Sequence, residues 1–274
     1  MDPLVALSEL PGVDTAVAQA RAAVDEVLWP RNLGSDGPAL AVASRLHGAQ
    51  ACAALEGVDF AVEAWRSGDA FDDSPMGLTA AGVWRGYSEL STLVPTWRSA
   101  PLQALARLHV LVAGDQESES TLGRPRSGDA SDSLLIGAAP PPAEVAARLS
   151  LLGRLVGTGG SAPAIVEAAV VQGEILALRP FAVGSPAIAQ MATRLVLAAR
   201  GLDPDLLVVP EVGVLRAGRP AYVRAVRGYL SGDPQAVAQW VQFVAGTVAD
   251  GAGAAGELLA EIRALPLGKR PASE

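Results

Sequence analysis

Proline and serine recur at the starts of long Ala-, Leu- and Val-rich runs, and this pattern does most to limit what the chain can fold into. Pro38, Pro101, Pro142, Pro163, Pro186, Pro220 and Pro234 each stand at the head of such a run. Proline suits the first turn of a helix, where its missing N–H has no partner to lose, and disrupts the interior. Half of the 274 residues are apolar and only 4% are aromatic, a composition that favours packed helices over sheets. The expected fold class is all-α (mainly α), with enough apolar residues for one large domain or two small ones.

Along the chain, Gly12–Thr15 offers N-cap choices for a helix ending near Trp29. Further helices are expected over 38–55, 60–66, 78–93 (closed by Pro95) and 101–113. Residues 114–133 are polar without a helical period and read as a long, mobile loop. Leu134-Leu135-Ile136 is the most strand-like trio. Helices then follow over 140–156, 161–178, 184–200, 220–230 and 234–249, with a short segment over 204–209, an amphipathic piece over 256–265 and a frayed tail. The implied division is 1–110, an N-terminal helical region, 111–250, a core, and 251–274, a C-terminal helix and tail.

Charge and composition remove several function classes. The formal net charge is −8, which does not suit binding to a nucleic-acid backbone. Cys52 is the single cysteine and His47 and His109 are the two histidines, so no disulfide, cysteine-based metal site or histidine cluster is expected. The N-terminal Met1-Asp2-Pro3 opens no signal core, and the longest apolar stretch, 162–178, is interrupted by Glu167, Gln172 and Glu174. The expectation is a cytoplasmic protein without membrane or nucleic-acid partners. His109 reads as a packed residue. Trp29, Trp65, Trp84, Trp97 and Trp240 read as core or core-edge anchors. Arg216, Arg219, Arg224 and Arg227 read as a solvated basic face.

Residues 179–190, Arg-Pro-Phe-Ala-Val-Gly-Ser-Pro-Ala-Ile-Ala-Gln, carry the chemistry-bearing pattern. The frame resembles the core motif of the Fic family, His-Pro-Phe-x-Asp-Gly-Asn-Gly-Arg-x-x-Arg. Pro180, Phe181 and Gly184 match. Arg179 stands at the His position and Val183 at the acid, while Ser185, Pro186, Ala187 and Gln190 replace the Asn, the second Gly and both Arg. Upstream, 51–57 resembles the inhibitory-helix motif Ser/Thr-x-x-x-Glu-Gly, with Cys52 at the hydroxyl position and Glu56 and Gly57 matching. This inhibitory-helix-like segment spans about 38–57. Residues 123–128, with Arg126, resemble the family's turn before a flap. Gln172 stands where a helix His is frequent, and Gly201–Asp203, Gly232–Pro234 and Trp240 match later segments. The resemblance spans 40–250 and implies a helical bundle around a central buried helix with a short β-flap.

Fic enzymes typically transfer AMP from ATP to a hydroxyl on a target protein. Arg179 cannot serve as the base, because a guanidinium stays protonated at working pH. Val183 offers no ligand to a phosphate-bound metal, and neither Ala187 nor Gln190 neutralises phosphate charge. Loss of a general base alone lowers rates by ~10²–10⁴. The resemblance therefore implies a catalytically inactive protein with no catalytic residue, cofactor or metal, acting as a regulatory or protein-binding module, with homodimerisation compatible. The alternative is a nucleotide- or anion-binding sensor using Arg179, Arg126 and Ser185. A third reading is an altered transferase with Glu174 or Glu56 as base. Ser185 is expected as the N-cap of the following helix. Gln190, Arg194 and Arg179 are the expected partners for Glu56.

Overall fold

A computed structural model describes residues 2–157 and 160–265. Among these, thirteen helices follow one another without a strand: α1 (Val5–Ser8), α2 (Val13–Leu28), α3 (Pro30–Leu33), α4 (Gly37–Leu55), α5 (Val62–Ser67), α6 (Pro75–Ser99), α7 (Pro101–Ala113), α8 (Pro142–Gly157), α9 (Ala164–Leu178), α10 (Ser185–Ala199), α11 (Pro210–Ala217), α12 (Arg219–Ser231) and α13 (Pro234–Ala264). The all-α expectation holds. So does the proline pattern: α3, α4, α6, α7, α10, α11, α12 and α13 carry Pro in their first two positions.

The central element is α9. Apart from Ala164 and Glu174, its residues are buried, as a helix apolar on every side requires. α10 runs against it, and α13, α12 and α8 pack on its other sides, while α6 and α7 cover α10. Trp240 of α13 is fully buried and its indole N–H donates to the Ala169 carbonyl at 2.8 Å. Its ring packs with Tyr222, Tyr229 and Phe243 at centroid distances of 5.9–6.2 Å. Trp65 and Trp97 are also buried, but Trp29 is 56% exposed.

Several boundaries differ from expectation. α6 continues through Pro95 to Ser99. Pro95 and Ser91, whose carbonyl loses its helical partner, are both exposed, so the lost bond falls on the solvent side of the helix. The short segment expected over 204–209 is a connection leading to α11, which opens at Pro210. The two pieces expected after Pro234 are one helix, α13. Gly251 does not break it: a Cβ there would lie 2.6 Å from the Val209 carbonyl, so its bareness admits the 208–210 backbone. The divisions expected at 110/111 and 250/251 fall inside α7 and α13. The last part of the expected tail, 266–274, lies outside the described residues.

The expected β-flap forms a turn rather than a strand. The Ile136 and Gly137 N–H groups donate to the Asp132 carboxylate at 2.9 and 3.0 Å, and Leu135 takes a left-handed φ of 57°. Backbone donors held by a side chain are not available to a neighbouring strand. Nor is 114–133 a free loop. The Arg126 N–H donates to the Pro180 carbonyl and the Ser131 N–H to the Ala182 carbonyl, tying this loop to the segment after α9.

Candidate functional site

The motif-like residues connect α9 to α10 at the middle of the bundle. Arg179 ends α9 in a left-handed conformation, its N–H donating to the Ile175 carbonyl. Gly184, with φ 77°, is the N-cap of α10. A Cβ at Gly184 would meet Val112 at 2.7 Å as well as strain the backbone. Ser185 is therefore the first helical residue and not the N-cap. Its hydroxyl turns back to Phe181, donating to the carbonyl at 3.3 Å and accepting from the N–H at 3.4 Å. Pro186 follows and adds no N–H donor.

Arg179 is buried and faces protein acceptors. One terminal nitrogen lies 3.0 Å from the Asp132 carboxylate, and the other donates to the Gly137 carbonyl at 2.6 Å. Its Nε is buried with no hydrogen-bond partner. Arg126 donates to the carbonyls of Arg179 (2.8 Å), Gly128 (2.6 Å) and Pro140 (2.6 Å), and more weakly to Leu178. Burial and the neighbouring Arg179 lower the Arg126 pKa from its ordinary value. The arginines and serine considered for anion binding are thus brought close together, but their donors are directed chiefly at the chain itself.

Two carboxylates from outside the motif reach its backbone. Glu117 accepts from the Val183 N–H at 3.2 Å. The same oxygen lies 3.3 Å from His109 Nε2, and His109 Nδ1 accepts from the Gly123 N–H at 3.0 Å. That acceptor role places the proton on Nε2, which donates to Glu117. Burial lowers the His109 pKa and keeps the ring neutral. The ring stacks on Phe181 at 4.1 Å. His109 is packed, as expected, and it also positions Glu117. Sequence reasoning missed Glu117, because a lone acid in a polar loop has no periodic or motif signal.

Glu56 supplies the second carboxylate from the C-terminal end of α4. It is half-buried, accepts from the Ser133 hydroxyl at 3.1 Å, and has the Ala187 N–H of the first turn of α10 and Arg219 nearby, both favouring its charged form. Burial is the main cause of its raised pKa. A carboxylate at a helix N-terminus is favoured by the free N–H groups and the helix dipole. Gly57, with φ 92°, turns the chain away from α4.

None of the three expected partners contacts Glu56 through an ion pair or side-chain hydrogen bond. Gln190 donates to Tyr222 Oη at 3.0 Å, which also receives a 3.4 Å contact from Gln172. Arg179 is held by Asp132. Arg194 is buried beneath α4: it donates to Ser44 Oγ at 2.7 Å and to the Leu206 carbonyl, faces Glu211 at 4.0 Å, and lies over the Tyr87 ring. Cys52 is buried in the same interior, and burial pushes its thiol pKa well up. Glu174, the other base considered, accepts from Arg148 and from Tyr229 Oη.

The basic face on α12 is partly engaged as well. Arg219 donates to the Ser133 carbonyl and Arg227 to the Leu135 carbonyl, so the helix holds the flap from behind.

No family model matches the sequence, and no curated protein matches it. Solved structures do resemble the fold. A Fic family protein from Desulfovibrio desulfuricans G20 aligns with a TM-score of 0.73 at 19% identity, covering 94% of this chain and 77% of that one. Fic-1 from C. elegans aligns with a TM-score of 0.64 at 14% identity, covering 88% and 72%. With α9 buried at the centre and the 179–184 connection leading into α10, the chain has the fold of the Fic proteins.

Proposed function

We propose that this Fic-fold chain does not transfer nucleotides and acts as a regulatory or protein-binding module. The observation that carries this reading is the occupation of the 183–187 backbone by the chain's own carboxylates. The Val183 N–H donates to Glu117, the Glu56 carboxylate stands beside the Ala187 N–H in the first turn of α10, which favours its charged form, and Pro186 has no N–H to give. Backbone N–H groups at a helix N-terminus are what an anionic phosphate would use. The ATP and metal that the family resemblance implies do not fit these residues. Val183 is aliphatic, Arg179 is paired with Asp132, and both nearby carboxylates would repel a polyphosphate.

The protein-binding part draws support from the surface beside the flap. Leu135 is 68% exposed and Leu230 39% exposed, while Arg219, Arg227 and Asp132 hold the flap backbone that presents Leu135. A fixed apolar side chain on a braced turn is suited to contact with a protein partner. One observation favours the nucleotide-sensor alternative, the partnerless Nε of buried Arg179.

Calorimetric titration with ATP, with and without Mg²⁺, on the wild type and on Arg179→Ala tests the reading. No saturable heat is expected in any condition with the protein folded. Saturable binding that disappears in Arg179→Ala would establish the sensor and overturn the inactive module.

A further inference from the structure

A groove of about 760 Å³ opens between α4, α5, α6 and the C-terminal part of α13. The residues of the remnant loop do not line it. Its size lies in the range of small-molecule sites, roughly 300–1,000 Å³. The lining is mainly apolar, with Leu46 and Ile262 buried and Trp65 and Trp84 contributing aromatic surface. The indole Nε1 of Trp65 is buried without a hydrogen-bond partner. A partly open apolar groove of this extent, with an unpartnered donor among its lining residues, is more than a monomer needs for stability alone.

The charges around it have a sign. Arg66 and Glu63, both on α5, face each other at 4.0 Å. Glu261, on α13, makes no ion pair or hydrogen bond among the described residues. His47, between them, feels Glu261, Arg66 and Glu63, and burial lowers its pKa, so the ring is neutral at pH 7 and does not offset Glu261. Among the described residues, one carboxylate without an ion-pair partner, Glu261, therefore stands at an aromatic, apolar groove. Tryptophan faces attract organic cations, and an adjacent carboxylate adds to that attraction.

We infer that this groove binds a small amphipathic organic cation, an apolar or aromatic body carrying one ammonium group. The body fills the Leu46, Trp65 and Ile262 surface, and the ammonium lies between the Trp84 ring and Glu261. Among the described lining residues, an anionic ligand would meet Glu63 and Glu261 with one cation, Arg66, which faces Glu63, to oppose them.

The test uses three probes of one shape, 4-tert-butylbenzylammonium, 4-tert-butylbenzyl alcohol and 4-tert-butylbenzoate, followed by quenching of tryptophan fluorescence in the full chain. The ammonium probe is expected to quench saturably, and the alcohol to bind about fivefold more weakly or worse, the order of one exposed cation–π or ion-pair contact. The benzoate is expected not to saturate. Glu261→Gln, at an exposed position, should weaken the ammonium probe by a similar factor without unfolding the protein. Arg179→Ala should leave it unchanged, which separates this site from the remnant loop. Equal affinity for all three probes, an unaltered Glu261→Gln, or no saturation by the ammonium probe would each overturn the assignment.

Discussion

Asp203 shows how a single residue can be set by two opposing effects. It is 2% exposed and accepts from the Leu207 and Val208 N–H groups at 2.9 Å each. Those bonds and Arg194 favour the charged form, but burial outweighs them and the pKa rises from 3.8 to about 6. An acid whose pKa is raised by folding binds its proton more tightly in the native state. Its stabilising contribution is full below the unfolded value and is lost as pH rises through about 6. The shift corresponds to about 3 kcal/mol. Carbon-detected NMR titration should place the Asp203 carboxyl near that value. In urea unfolding, Asp203→Asn should lack this part of the wild-type stability decrease between pH 4 and pH 7. At the same scale, Arg179 and Glu117 show why residue identity did not fix role. The sequence aligned Arg179 with the His position of the resembling motif. Its pairing with Asp132, 47 positions away, follows from the fold, and so does the meeting of Glu117 with Val183.

At the scale of elements, the flap is held by contacts from three directions. Asp132 takes the Ile136 and Gly137 N–H groups, α12 supplies Arg219 and Arg227, and Glu56 accepts from Ser133. Hydrogen bonds from charged groups contribute about 1.5–3 kcal/mol. Arg219→Ala is therefore expected to speed amide exchange at Ile136 and Gly137 by roughly ten- to a hundredfold, with little change in α9. Hydrogen-exchange mass spectrometry reads both. Unchanged exchange across 132–137 would remove Arg219 from the flap's support. Helix starts were well marked in the sequence because proline acts locally on the first turn. Helix ends and continuations were less legible. Pro95 and Gly251 look like breakers in sequence, yet the first faces solvent and the close approach of Val209 requires the second.

For the molecule as a whole, a main apolar core draws residues from most helices between α2 and α13, with a smaller cluster around Leu40, Leu258 and Ile262 beside it. Trp240 is at its centre, fully buried and bonded to α9. Trp240→Ala should lower stability by about 3–5 kcal/mol, the usual loss for truncating a buried aromatic. Because the core is shared, helical circular dichroism and the fluorescence of the remaining tryptophans should report the same shifted urea transition. Separate transitions for the two signals would show that the helices do not unfold as one unit.

The sequence by itself determined the helical class, the positions of most helix starts, the apolar character of 162–178 and the resemblance of 179–190 to a motif whose His, acid and arginine positions hold other residues here. Each of these depends on local chemistry: proline geometry, helix propensity, side-chain polarity and the presence or absence of a titratable group. Only the tertiary structure decided which carboxylates meet the 183–187 backbone, that Arg126 and Arg179 face carbonyls and Asp132, and that Arg194 lies under α4 instead of reaching Glu56. It also decided that α4, α5, α6 and α13 border a groove lined by Glu261. Such partners are separated by many residues and are brought together by the packing of helices around α9, which no local pattern encodes.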